Sequence, residues 1–313
     1  MNSFSDHSRL ANLIIAGVNK AGSTSLFHYL SGHPDICGSL DKETCYFLPL
    51  LYHQPRGPLS DYRNQFAQCS GGEKYRLEAT PAYFYGGRTM ANEIDQTLSG
   101  CKVIIILKDP VDRLLSFYHR KKTTFQLPRD LTLREYVNKC IDIDEDEILN
   151  EENKLFTGVW FGIYHKHIES WMDIFGDRLK IVFFDDLKKD ARAFMKDLGD
   201  WLQIDSEFYN DYAFDVMNKS HDYKNGLLHR VAVAANNAGK RVWRSNPVLK
   251  KSVLGLYYKF NGTPIEKPQK DDETITFLKN YYLEHNHQLQ QILEKRGITS
   301  LPEWLQQPVT ATL

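Results

Sequence analysis

The stretch Leu13-Ile14-Ile15-Ala16-Gly17-Val18-Asn19-Lys20-Ala21-Gly22-Ser23-Thr24-Ser25-Leu26 changes its periodicity twice within a few residues. An apolar run of strand length comes first, a loop bearing Gly17 and Gly22 follows, and a helical pattern of apolar residues takes over from Leu26. Strand, glycine loop and helix N-terminus in that order form an anion site by construction. The free amides of a first helical turn and the positive end of its dipole face whatever sits in the loop, and the hydroxyls of Ser23, Thr24 and Ser25 add donors. The competing reading is that these hydroxyls only cap the helix.

Outward from this stretch, short apolar runs alternate with helical patterns, as in a parallel α/β sheet. Strands are predicted over 13–17, 75–79, 102–107 and 180–184, and Val103-Ile104-Ile105-Ile106-Leu107 is apolar on both faces, as a strand covered by helices on both sides should be. Helices are predicted over 24–31, 111–122, 164–175, 188–201 and 273–295. The expected fold class is α/β, a central parallel β-sheet flanked by helices, and residues 1–313 are read as a single domain.

The place of the lysine tells what kind of loop this is. A Walker loop carries lysine directly after its second glycine, whereas Ser23 holds that place here and the cation is Lys20, inside the loop. A nucleotide kinase would also want a carboxylate for magnesium at the end of a neighbouring strand; the run 102–107 leads instead into Lys108-Asp109-Pro110. Pro110 can open a helix and Asp109 can cap it. Lys108 and Ser116 are then placed to close on one phosphate, and Arg113 to pair with Asp109 one turn back.

These residues resemble the PAPS-dependent sulfotransferases, of the heparan-sulfate and bacterial type. Lys20 to Ser25 is similar to the family's 5′-phosphosulfate loop, and Lys108-Asp109-Pro110 through Ser116-Phe117-Tyr118 to its 3′-phosphate motif. His33-Pro34-Asp35, Lys42-Glu43-Thr44-Cys45-Tyr46-Phe47 and Glu78-Ala79-Thr80-Pro81-Ala82-Tyr83-Phe84 resemble further family stretches in the expected order. Two positions depart from the pattern: Lys108 stands for arginine, losing its bidentate fork, and Ala79 stands for a lysine that faces the acidic polymer in glycan enzymes.

The resemblance implies a P-loop-like sulfotransferase fold and transfer of the sulfuryl group of 3′-phosphoadenosine 5′-phosphosulfate (PAPS) to an acceptor hydroxyl or amine, without a metal. Lys20 would stabilise the leaving phosphate, and Lys20, Ala21, Gly22, Ser23, Thr24, Ser25, Lys108 and Ser116 would hold the donor. Glu43 would be the general base; on its own it reads as a surface carboxylate paired with Lys42. His28 and His119, beside the two anion motifs, are read as packing or capping residues. The preferred acceptor is a small-molecule natural product. The alternatives are a glycan sulfotransferase, an ATP-dependent P-loop kinase and a nucleotide-binding module without chemistry.

Charge and cysteine usage bound the partners. Thirty-nine Lys and Arg against 40 Asp and Glu argue against a nucleic-acid binder. Residues 142–152 are strongly acidic and read as a solvated surface, whereas 223–265 contain basic residues and, until Glu266, no acid. The apolar run at 13–18 is too short for a signal sequence or membrane span, so no membrane partner is expected. The five cysteines show no metal or disulfide spacing and are expected to be reduced thiols in a cytoplasmic protein. Acceptor selectivity is expected in the loops 48–68, 123–156 and 223–265, and Asn218-Lys219-Ser220 with Lys224 is a loose match to a late loop over the nucleotide.

Overall fold

In the computed structural model, which describes residues 10–215, 221–223, 225–239, 260–264, 272–307 and isolated positions at 253, 255 and 257, the predicted apolar runs lie side by side. Strands β1 (Leu13–Gly17), β2 (Ile36–Gly38), β3 (Tyr75–Ala79), β4 (Lys102–Leu107) and β5 (Leu179–Phe183) form one sheet in the order β2-β3-β1-β4-β5. Every pairing is parallel. The register sets Leu13 against Leu77 on one side and Ile14 against Val103 on the other. Because β1 is flanked by β3 and β4, the loops leaving β1 and β4 emerge next to each other at the carboxyl edge, where open α/β sheets bind ligands.

All five residues of β1 are buried, as are residues 103–107 of β4, which is why these two strands were legible as continuous apolar runs. The helices are α1 (Ser23–Ser31), α2 (Leu59–Asn64), α3 (Gly87–Thr97), α4 (Pro110–Thr123), α5 (Leu133–Ile141), α6 (His165–Phe175), α7 (Phe184–Lys189), α8 (Ala191–Leu202), α9 (Gly226–Ala238) and α10 (Asp272–Lys295). One predicted helix is corrected: 188–201 is split, because Asp190 leaves helical geometry and its carboxylate caps α8, accepting from the amides of Arg192 and Ala193 at 3.1 and 3.0 Å. The strand expected over 180–184 ends at Phe183, since Phe184 begins α7. Strand β2 went unseen because three residues show no period. A small antiparallel pair, β6 (His221–Tyr223) and β7 (Gly262–Pro264), lies outside the main sheet.

Cysteine usage also differs from expectation. Cys37 on β2 and Cys69 after α2 form a disulfide with Cα atoms 5.8 Å apart, while Cys45, Cys101 and Cys140 are free. The partners lie 32 residues apart, so no local spacing announces the bond. Disulfides persist in oxidising compartments, so cysteine usage does not support a cytoplasmic reading. The bridge closes a loop that includes Glu43 and Tyr62, a constraint that stabilises by about 2–4 kcal/mol in typical cases.

Among the described residues no helix is long and apolar enough to cross a membrane. Residues 216–220 and 224, which hold the loose late-loop match, and most of the basic stretch lie outside the described residues.

Candidate active site

The loop after β1 is held on the sheet at both ends. The amide of Val18 donates to Ile106 O on β4 at 2.9 Å, and the amide of Asn19 donates to the hydroxyl of Tyr85 at 3.3 Å. Lys20 and Gly22 take positive φ values, 70° and 86°. Only glycine fits at 22: its backbone is left-handed, and a Cβ there would lie 2.8 Å from the Phe184 ring. Gly22 stands at the N-cap of α1 and no side chain caps that helix, so the capping reading of Ser23 to Ser25 is set aside and the first turn faces the loop with its amides available.

Lys20 is largely buried, and its ammonium is pushed down to about 8 by burial, then by the charges of Arg120, Lys108 and Lys42, with Glu43 acting in the opposite direction. The charges of one carboxylate and three cations thus act on the same lysine. A lysine held this way gains strongly from an incoming anion. Lys42 is mostly buried, with Nζ 3.7 Å from Glu43 Oε1 and 3.5 Å from Ser23 Oγ. Glu43 itself is half exposed, which leaves its carboxylate open to an acceptor.

The structure brings the two residues of the second motif together. Lys108 Nζ lies 3.2 Å from Ser116 Oγ, on the turns of α4 that follow Pro110. Asp109 caps α4, accepting from the amide of Asp112 at 2.8 Å. Burial lowers the Lys108 ammonium too, and the cation sits 5.1 Å from the Phe184 ring centre. Phe184 thus touches both the Gly22 corner and Lys108, a wall between the two anion sites that no sequence motif signals.

Arg113 keeps a structural role, but not with Asp109. It is fully buried, donates to the carbonyl of Gly158, and stands among the phenols of Tyr85, Tyr164, Tyr282 and Tyr136; burial lowers its pKa, yet these phenols leave it raised overall. The α4 helix turns that face inward, so Asp109 is left to cap. His28, read as a packing or capping residue, is exposed in the last turn of α1, and its imidazole is pushed down by burial and by Lys42. Arg120 was missed. It follows Ser116 by one helical turn, the spacing that places two residues on one face, and its charge leads the cations acting on Lys20. Among the described residues no group of three or more His, Cys, Asp and Glu is arranged to hold a metal ion.

Comparison with known proteins bears on the family and the fold. A family model described as a sulfotransferase domain matches residues 88–244, half of the chain. The membrane-associated sulfotransferase kil1 of Dictyostelium discoideum is 38% identical over 112 residues, which cover 35% of this chain and 23% of that protein. The bifunctional heparan sulfate N-deacetylase/N-sulfotransferase 1 of Homo sapiens is 25% identical over 315 residues, 97% of this chain and 32% of its own length. The chain thus spans under a third of the length of either relative. Among solved structures, a sulfotransferase from Alicyclobacillus acidocaldarius superposes with a TM-score of 0.55 at 22% identity, over 74% of this chain and 94% of that one, and shows the same fold. The match over half of the chain, with the parallel sheet, places this chain in the sulfotransferase family.

Proposed function

We propose that the protein binds PAPS across the β1 and β4 loops and transfers its sulfuryl group to a hydroxyl or amine of a small-molecule natural product, with residues 1–313 acting as one domain. The observation that carries this reading is the convergence of Lys20, Lys42, Lys108 and Arg120 at an uncapped helix N-terminus with the half-exposed Glu43 beside them. When bound, PAPS supplies a sulfuryl group on a phosphate leaving group. The amides and hydroxyls of 21–25 hold the 5′ end, Lys108 and Ser116 hold the 3′-phosphate, Lys20 neutralises charge gathering on the leaving oxygen, and Glu43 takes the acceptor proton.

A second reading, a glycan acceptor, draws on the similarity to heparan sulfate sulfotransferases. One observation favours a smaller and less acidic acceptor. Ala79 is buried in β3 opposite Ile15 and offers no charge.

Calorimetric titration with 3′-phosphoadenosine 5′-phosphate (PAP) in EDTA, run beside ATP with magnesium, tests the donor. Tight metal-free binding of PAP with much weaker ATP is expected; the reverse order would return the kinase reading. Lys108→Ala is expected to weaken PAP by about 10- to 100-fold, the worth of a charged hydrogen bond. Affinity for the analogue without the 3′-phosphate should change little. Equal losses for both nucleotides would remove Lys108 from that subsite.

A further inference from the structure

Glu78, at the penultimate position of β3, is fully buried with no cation bonded to it, and four hydroxyls surround it. Oε1 accepts from Thr44 Oγ1, from Thr80 Oγ1 at 2.9 Å and from Tyr83 OH at 2.7 Å; Oε2 accepts from Tyr62 OH. Three of these hydroxyls are also bound from behind by backbone amides. The amide of Cys45 donates to Thr80 Oγ1 at 3.2 Å, that of Tyr46 to Thr44 Oγ1 at 3.4 Å and that of Phe47 to Tyr83 OH at 3.1 Å. An amide can only donate, so each hydroxyl accepts from the backbone and keeps its own proton to donate to the carboxylate.

Three consecutive amides therefore converge, through three hydroxyls, on one oxygen. Four hydroxyls within hydrogen-bond reach satisfy the buried carboxylate. Burial leaves the Glu78 pKa raised overall, although the four hydroxyls favour its charge. The same charge, with that of Glu43, helps push the intervening Cys45 thiol up to about 11, after burial.

We propose that Glu78 is a positioning residue for sulfuryl transfer: through Thr44, Thr80 and Tyr83 it fixes the backbone of 44–47 and so the direction in which Glu43 presents its carboxylate. The inference rests on the reading of Glu43 as base. Sheet strand β3 is rigid and Glu43 is on a half-exposed loop, so the relay transfers the precision of the sheet to the loop. Tyr62 supplies a built-in comparison, because it donates to the same carboxylate but serves no amide of 44–47.

The test compares Tyr83→Phe, Tyr62→Phe, Glu78→Gln and Glu43→Gln by three readouts: PAP release from PAPS with water and with 4-nitrophenol as acceptors, PAP affinity by calorimetry, and hydrogen exchange of the amides of residues 45–47. Tyr83→Phe is expected to lower kcat by about 10- to 100-fold, the cost of a small misplacement of a reacting group, with PAP affinity nearly unchanged and faster exchange at 45–47. Tyr62→Phe should show at most a tenth of that loss and little change in exchange.

Equal rates and equal exchange in the two phenylalanine variants would overturn the proposal, as would a loss of PAP affinity that matches the loss of kcat. Should Glu78→Gln not fold, the tyrosine pair decides. If neither acceptor is turned over by the unsubstituted protein, the exchange comparison decides. An active Glu43→Gln refutes the base reading and this inference with it; an inactive Glu43→Gln beside a fully active Tyr83→Phe refutes the role of Glu78 alone.

Discussion

Glu43→Gln is expected to lower sulfuryl transfer by about 10²- to 10⁴-fold, the span that a positioned general base contributes, while PAP affinity stays within a few-fold of the parent. The substitution keeps the shape of the side chain and removes its ability to take a proton. Its ion-pair partner Lys42, mostly buried and 3.7 Å away, also reaches Ser23, so it retains a contact when the charge of Glu43 is gone. The rate of sulfate transfer and calorimetric PAP binding, measured on the same preparation, check the split. Binding lost in parallel with turnover would make Glu43 a brace for the loop and not a base.

Lys20→Met should be more damaging, because it acts on both donor binding and the leaving group. Loss of one preorganised cation or donor at developing charge costs about 10²- to 10³-fold in rate, and loss of PAP affinity adds to it in kcat/KM. The pH dependence gives a second check whose sign follows from the free-state value. The ammonium of Lys20 sits at about 8, lowered by burial first and then by Arg120, Lys108 and Lys42, with Glu43 opposing. A bound phosphate stabilises the charged form, so the pKa rises in the complex. Affinity is therefore full below about 8 and falls above it by about tenfold per pH unit until the raised value in the complex is reached. Proton uptake on binding near pH 8 should appear as a dependence of the calorimetric heat on the buffer's ionisation enthalpy. In Lys20→Met that uptake should vanish; its persistence would assign the titration to another cation.

The candidate site divides into parts that the chain displays and parts that it hides. Lys20, Gly22 and Ser23 announce themselves because a strand, a glycine loop and a helix follow one another in sequence, and Lys108, Asp109, Pro110 and Ser116 because strand end, cap and helix do the same. Each is a local arrangement, and local arrangements have local signals. Arg120 had a usable signal, four residues beyond Ser116 on one helix face, whereas Phe184 had none, since it joins the start of α7 to two loops distant in sequence, at Gly22 and Lys108. The pairing assigned to Arg113 failed for a related reason: a helical spacing allows a contact with Asp109, but burial against Gly158 and four tyrosines outcompetes it.

What the chain's own order of residues determined is the α/β class, four of the five strands of the parallel sheet and the strand–loop–helix arrangement after β1 and β4, because apolar period, glycine placement and helix caps act over a few residues. Tertiary structure alone decided the Cys37–Cys69 bridge, the depressed ammonium of Lys20 and the relay from the amides of 45–47 to Glu78. Each of these depends on groups far apart in sequence and on removal from water. Charge repulsion and desolvation at Lys20 appear only once Arg120, Lys108 and Lys42 are folded around it, and a buried carboxylate acquires its four hydroxyl partners only when β3, α2 and the Glu43 loop close on one another.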